Sequence, residues 1–155
     1  MLAHPRTTMS KPKLIAIEHD DHHASHIGSL PDGRQFFLTS PFVPAIGSEA
    51  GREFVAVFLF DKHGHFLEAR IDDLGTRADL DEARARSAFE QRLAELGPVE
   101  FGRIEVQPFK VERFGTEFGL IPRPPEEDDD EWAVEMQPGN YMAFFEPWDS
   151  GDYDT

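Results

Sequence analysis

The residues with the most chemistry to offer stand between positions 19 and 26, where His19, Asp20, Asp21, His22, His23 and His26 crowd one short polar stretch. Neutral imidazole nitrogens and carboxylate oxygens are ligands that first-row divalent transition metals favour. His22 and His26 are four residues apart and would share a face if the stretch were helical. His63 and His65, in a second polar stretch, would join them if the two loops lay at the same end of a sheet. The candidate metal ligands are therefore His22, His23, His26 and His63, and the chemistry they imply is that of a metal-dependent enzyme with a nearby Asp. Two features oppose that reading. There is no H-E-x-x-H pair, and the flanking Ile-Ala-Ile-Glu and Gly28 do not continue a helix. The bland reading of such a His-rich stretch, a solvated polar loop, outweighs the metal site.

Other catalytic patterns are missing. Ser40, Ser48, Ser87 and Ser150 do not sit in a G-x-S-x-G elbow, and Gly102, Gly115 and Gly119 lack the Lys and Ser/Thr of a phosphate-binding loop. With no Cys there is no thiolate nucleophile, no thiolate metal site and no disulfide, which fits a reducing cytoplasm. Glu68 with Asp72 or Asp73 would serve as an acid-base pair only if burial separated their pKa values. No catalytic residue is assigned, and no cofactor beyond that possible divalent metal.

Charge points elsewhere. The net charge is -15, yet Arg123 is the last basic residue and 11 of the 30 acidic ones follow it; the first 123 residues carry 19 acidic against 15 basic, or -4. This balance opposes contact with a phosphate backbone or an anionic membrane, because binders of those surfaces bring Lys and Arg. A basic protein is the partner it suits, since opposite fields raise encounter rates and help set specificity. Glu127, Asp128, Asp129 and Asp130, with Trp132, Trp148 and Tyr153 as aromatic anchors, are the candidate contacts. The competing reading of the run is a solubilising loop.

The elements that must position these residues are short strands. Phe54 to Phe60 has no polar face and must be covered on both sides, as in a central strand. Asp61-Lys62-His63-Gly64 turns it into a partner beginning near Phe66. Pro31-Asp32-Gly33-Arg34 joins a second hairpin, His26–Leu30 to Gln35–Thr39, and residues 40–52 form a loop. Leu14 to Glu18 makes a first strand. Ile104 to Val111 alternates in two phases around Pro108, implying an edge or bulge, and Phe118 to Ile121 is a further strand. A last hairpin links Trp132–Met136 to Tyr141–Phe145 through Pro138-Gly139, a type II signature. One helix is predicted over about 79–96, capped by Asp79 with Glu82 and stopped by Gly97-Pro98, with Ala85, Phe89, Leu93 and Leu96 along one stripe.

These elements predict an α+β fold: a mostly antiparallel sheet built from hairpins, with the helix on one face. Residues 1–13 read as a flexible leader, with Met9 as an alternative start, 14–148 as a single domain with 122–131 as an exposed acidic loop, and 149–155 as an acidic tail. The four-residue apolar run Leu14–Ile17 is too short for a secretory signal or a membrane span. The expected function is protein binding by a small, cytoplasmic, non-enzymatic domain, of an inhibitor, immunity or regulatory kind. The alternatives are the metal enzyme and a small-molecule site between helix and sheet.

Overall fold

In the computed structural model, which describes residues 11–127 and 131–155, the fold is α+β, and β5 (Arg52–Phe60) is its middle layer. Phe54, Ala56, Phe58 and Phe60 point to one side, into a core shared with Phe109, Phe118, Leu120, Val134, Met136 and Phe144. Val55, Val57 and Leu59 point to the other, into a smaller core closed by the helix. Strict alternation with no polar residue thus reports a strand sandwiched between two layers, each buried Phe or Leu contributing about 1.5–3 kcal/mol.

The larger sheet runs β6 (Phe66–Thr76), β5, β3 (Gln35–Thr39), β2 (Ile27–Ser29), β7 (Glu100–Phe101), antiparallel throughout. Ser40-Pro41 breaks the line of β3, after which β4 (Phe42–Val43) returns to β5 at Arg52 and Glu53. The segment 40–52 is therefore a loop containing a short strand. The second sheet orders β12 (Ala143–Phe144), β11 (Ala133–Gln137), β10 (Thr116–Arg123) and β9 (Phe109–Arg113), while β1 (Ile15–Ile17) pairs with β8 (Ile104–Val106). Pro108 separates β8 from β9, and β9 is an edge strand.

The predicted turns form. Asp61 Oδ1 accepts from the N–H of His63 and His65 at 2.8 and 2.9 Å, and Gly64 takes φ 90°. At the other hairpin, Leu30 N–H donates to Arg34 O at 2.8 Å and Gly33 takes φ 93°. The final hairpin forms as well: Gly139 takes the positive φ that its predicted place in the turn requires, Asn140 adds a second, and Met136 N–H donates to Met142 O at 2.9 Å. A further hairpin joins β9 to β10 through Phe114-Gly115, both at positive φ; a Phe in the first position concealed it.

The helix α1 (Glu82–Glu95) lays Ala85, Ala88, Phe89, Leu93 and Leu96 on the sheet, as the stripe predicts. Its cap is Asp81, not Asp79: the Asp81 carboxylate accepts from Ala83 and Arg84 N–H, whereas Asp79 accepts from Thr76 Oγ1 at 3.0 Å beside a 3-10 turn, Arg77–Asp79. Two Asp residues stood at usable positions, and only the path of the incoming chain chose between them. No helix among the described residues is long and apolar enough to cross a membrane.

Residues 149–155, expected as a tail, are woven into the fold. Ala16 N–H donates to Trp148 O at 2.9 Å and Glu18 N–H to Gly151 O at 3.1 Å, while Ala143 and Asp154 exchange both backbone hydrogen bonds. The last residues thus bridge β1 and β12.

Candidate functional site

The loop between β1 and β2 is held by one carboxylate. Asp20 Oδ1 accepts from the N–H of His22 and Ala24, each at 2.9 Å, and Asp20 N–H donates to Ala24 O. Its other oxygen takes a short hydrogen bond from the Tyr153 hydroxyl, which in turn accepts from His23 N–H at 3.2 Å. Burial pushes the Asp20 carboxyl up, but the hydrogen bonds from Tyr153, His22 and Ala24 outweigh it and hold the group below the ordinary carboxylate range. Burial, reinforced by Asp20, raises the Tyr153 phenol to about 12. The latch is therefore a neutral phenol on an ionised carboxylate.

Closing this loop creates a cleft of about 220 Å³ between the sheet and the helix. The His22 and His23 rings lie 3.8 Å apart, and His23 faces the Tyr141 ring at 5.0 Å. The Tyr141 hydroxyl and Thr39 Oγ1 share a buried hydrogen bond of 2.6 Å; burial pushes this phenol far above its ordinary value. His26 is wedged edge-on against Phe89 and Phe101 at 4.8 and 5.6 Å, its Nδ1 within 2.8 Å of Ser25 Oγ. Burial lowers the pKa of both His23 and His26 from 6.5, with His22 adding to the effect on His23 and His19 to that on His26. At neutral pH the His23 and His26 rings are thus uncharged, beside the hydroxyls of Ser25, Thr39 and Tyr141.

The metal-ligand set does not assemble as expected. His22, His23 and His26 share the cleft, but the segment is a loop, so no helical face aligns them. His63 is at the wrong end of the sheet. In the register Ser29↔Gln35↔Phe60, its turn lies beside the β2–β3 turn, whereas His26 precedes β2 at the opposite end. His63 instead lines a separate hollow with Lys62, Gln35, Arg103 and Glu105. Among the described residues no three or more His, Asp or Glu side chains are grouped to hold a metal ion. The Glu68–Asp72 option also dissolves, since Glu68 pairs with Arg70 and Asp72 with Arg92.

The partner-binding candidates that are described stand in different environments. Glu127 is exposed, and Asp128, Asp129 and Asp130 lie outside the described residues. Trp132 is half-buried, Trp148 packs against the larger core and Tyr153 belongs to the latch. A different acidic surface has formed. Glu18, Asp20, Asp152 and Thr155 border one hollow of about 520 Å³, with exposed Asp21, Asp149 and Asp154 on the same two segments. Arg103 joins the two segments at their border, pairing with Glu18 at 2.9 Å and donating to Asp149 O at 2.7 Å. The sequence reading points to the acidic C-terminus but misses that the 18–21 segment joins it, because the two segments lie far apart in the chain. The C-terminal Tyr, a buried-side anchor with a hydroxyl needing a partner, was the available signal.

No protein-family model, no curated protein and no solved structure matches the chain.

Proposed function

We propose that this chain is a non-enzymatic binding protein that engages a basic macromolecular partner through the acidic face formed by its 18–21 and 149–155 segments. One observation carries the reading. The C-terminal segment is hydrogen-bonded to β1 and β12 and latched by Tyr153 to Asp20, so carboxylates from both ends of the chain are held in fixed relative positions. Preorganised charge costs less to engage than charge on a free tail, and it sets orientation as well as encounter rate. The run at Glu127 to Asp130 adds to the net negative charge of the chain, which favours encounter with a basic partner.

The test is capture of partners from the source cell by the full chain, compared with two charge-matched variants. Asp149→Asn/Asp152→Asn/Asp154→Asn removes three exposed carboxylates from the face, and Glu90→Gln/Glu100→Gln/Glu112→Gln removes three exposed ones elsewhere. Basic proteins should be recovered by the parent and the second variant, lost by the first, and released at about 0.5 M salt, where screening lengths fall well below 10 Å. Equal recovery by the two variants would overturn the reading.

A second reading rests on the cleft at His23 and His26, which suits a small uncharged heterocycle able to stack on Tyr141 and meet the Thr39 and Ser25 hydroxyls. Ring resonances of His23 and His26 unmoved by a panel of such compounds would remove it.

A further inference from the structure

The open edge of β6 carries an inference independent of the acidic face. Along a strand, hydrogen-bonding groups point alternately to either side. Leu38 N–H donates to His26 O and Leu30 N–H to Arg34 O, so the even-numbered residues of β3 face β2, leaving Gln35, Phe37 and Thr39 to face β5. Through the β3–β5 register, Ala56, Phe58 and Phe60 bond to β3, and Val55, Val57 and Leu59 bond to β6 at Asp72, Arg70 and Glu68. The N–H and C=O groups of Leu67, Ala69 and Ile71 are thereby turned outward. No hydrogen bond reaches them among the described residues. The free window has two stops: a bulge in the pairing between Leu59 and Phe60, and Arg84, whose guanidinium donates to Asp73 O at 3.4 Å. Its centre is Ala69.

Long unpaired edges are usually blunted by Pro, charged side chains, a bulge or a covering element. Between Glu68 and Ile71 this edge has no Pro and no bulge, its charges are the opposite pair Glu68 and Arg70, and β9 packs beside its start, Phe66 on Phe109 at 4.7 Å, without hydrogen-bonding to it. Its sequence is also self-complementary at one register. Placed antiparallel about a twofold axis through Ala69, two copies set Leu67 opposite Ile71 and Glu68 opposite Arg70, twice each. Centring on Arg70 would set Glu68 against Asp72, and centring on Glu68 would set two Glu side chains together. Each carboxylate of the strand already has a cation, Glu68 with Arg70, Asp72 with Arg92 and Asp73 with Arg52, so the seam is locally balanced in a chain of net charge -15. We propose that the protein self-associates by pairing β6 with β6 of a second copy, antiparallel about Ala69, joining the two larger sheets into one continuous sheet.

An isologous pairing of this kind is the commonest closed symmetry, and here it removes both open windows at once. The acidic carboxylates of the 18–21 and 149–155 segments are not part of β6, so this pairing does not use them. The paired stretch is shorter than the interfaces of permanent dimers, so the association should depend on protein concentration.

Sedimentation of the full chain between about 10 and 300 µM in about 0.15 M salt reads this directly. The expected result is an average mass that climbs from 17.6 kDa toward twice that value. Arg70→Glu sets Glu opposite Glu and should abolish the climb; Glu68→Arg/Arg70→Glu restores opposite signs across the axis and should recover it. Hydrogen exchange on the unmodified chain gives an arm that needs no variant to fold. The amides of Leu67, Ala69 and Ile71 should exchange at least several-fold more slowly at the high concentration than at the low one. A mass fixed at 17.6 kDa over that range, a dimer indifferent to Arg70→Glu, a swapped variant no better than the single one, or exchange at Leu67, Ala69 and Ile71 that ignores concentration would each overturn the proposal.

Discussion

Replacing Tyr153 by Phe removes one oxygen and no charge, which makes it the cleanest probe of how the C-terminal segment is held. That oxygen donates to Asp20 and accepts from His23 N–H. A hydrogen bond to a charged group contributes about 1.5–3 kcal/mol, and partial exposure at this node places the loss near about 1.5 kcal/mol. For a chain of this size each kcal/mol moves the melting midpoint by about 2–4 °C, so Tyr153→Phe should melt about 3–6 °C lower. The same free energy is about tenfold in a local opening equilibrium, so the amides of Glu18, Ala143 and Asp154, which bond across the latch, should exchange about tenfold faster. The pH profile has a fixed sign. Asp20 is depressed in the fold, so its contribution is present above the unfolded value of about 3.9 and disappears as pH falls through the lower folded value. Tyr153 is raised to about 12, so its contribution holds below about pH 10 and is lost as pH rises toward about 12. The difference between parent and variant should therefore be flat from about pH 5 to 9 and shrink on both sides. Exchange at Ala143 and Asp154 unchanged within about twofold, with an unshifted melt, would refute the latch.

Three further outcomes follow from the packing. Phe58, fully buried between Phe37 and Phe109, should cost about 3–5 kcal/mol in urea unfolding when cut to Ala; a loss below about 1.5 kcal/mol would mean the two sheets do not pack through it. Asp81→Ala should cost about 1 kcal/mol and Asp79→Ala clearly less, because only Asp81 caps the helix; the reverse order would restore the sequence-based cap. His23 and His26 should titrate below 6.5 by NMR, and because their folded values are depressed, the stability they contribute is present above about pH 6.5 and declines as pH falls. Midpoints at or above 6.5 would show that the cleft is wet.

How much of this was legible in the chain depends on how local each determinant is. Phe54 to Phe60 declares a strand buried on both faces because seven consecutive apolar side chains leave neither face for water. Asp61 to Gly64, Pro31 to Arg34 and the Ala85–Phe89–Leu93–Leu96 stripe carry their geometry within a few residues, and each forms where expected. The Phe114-Gly115 turn escaped because its residue types are unusual for that turn, although the backbone adopts it. The candidate metal set failed at His63 for a topological reason: antiparallel register puts its loop and the His19–His26 loop at opposite ends of the same sheet.

The sequence by itself determined the fold class, the double burial of the central strand, the one helix and its apolar face, and the concentration of negative charge after Arg123. Those properties depend on neighbours within a turn or a strand, where side-chain periodicity is the physics. Only the tertiary structure decided that His23 is partly buried beside Tyr141 and His26 against Phe89 and Phe101, that Tyr153 reaches Asp20 across almost the whole chain, and that the final residues belong to the fold. Burial and long-range hydrogen bonding depend on which segments are brought together, and no local pattern encodes that.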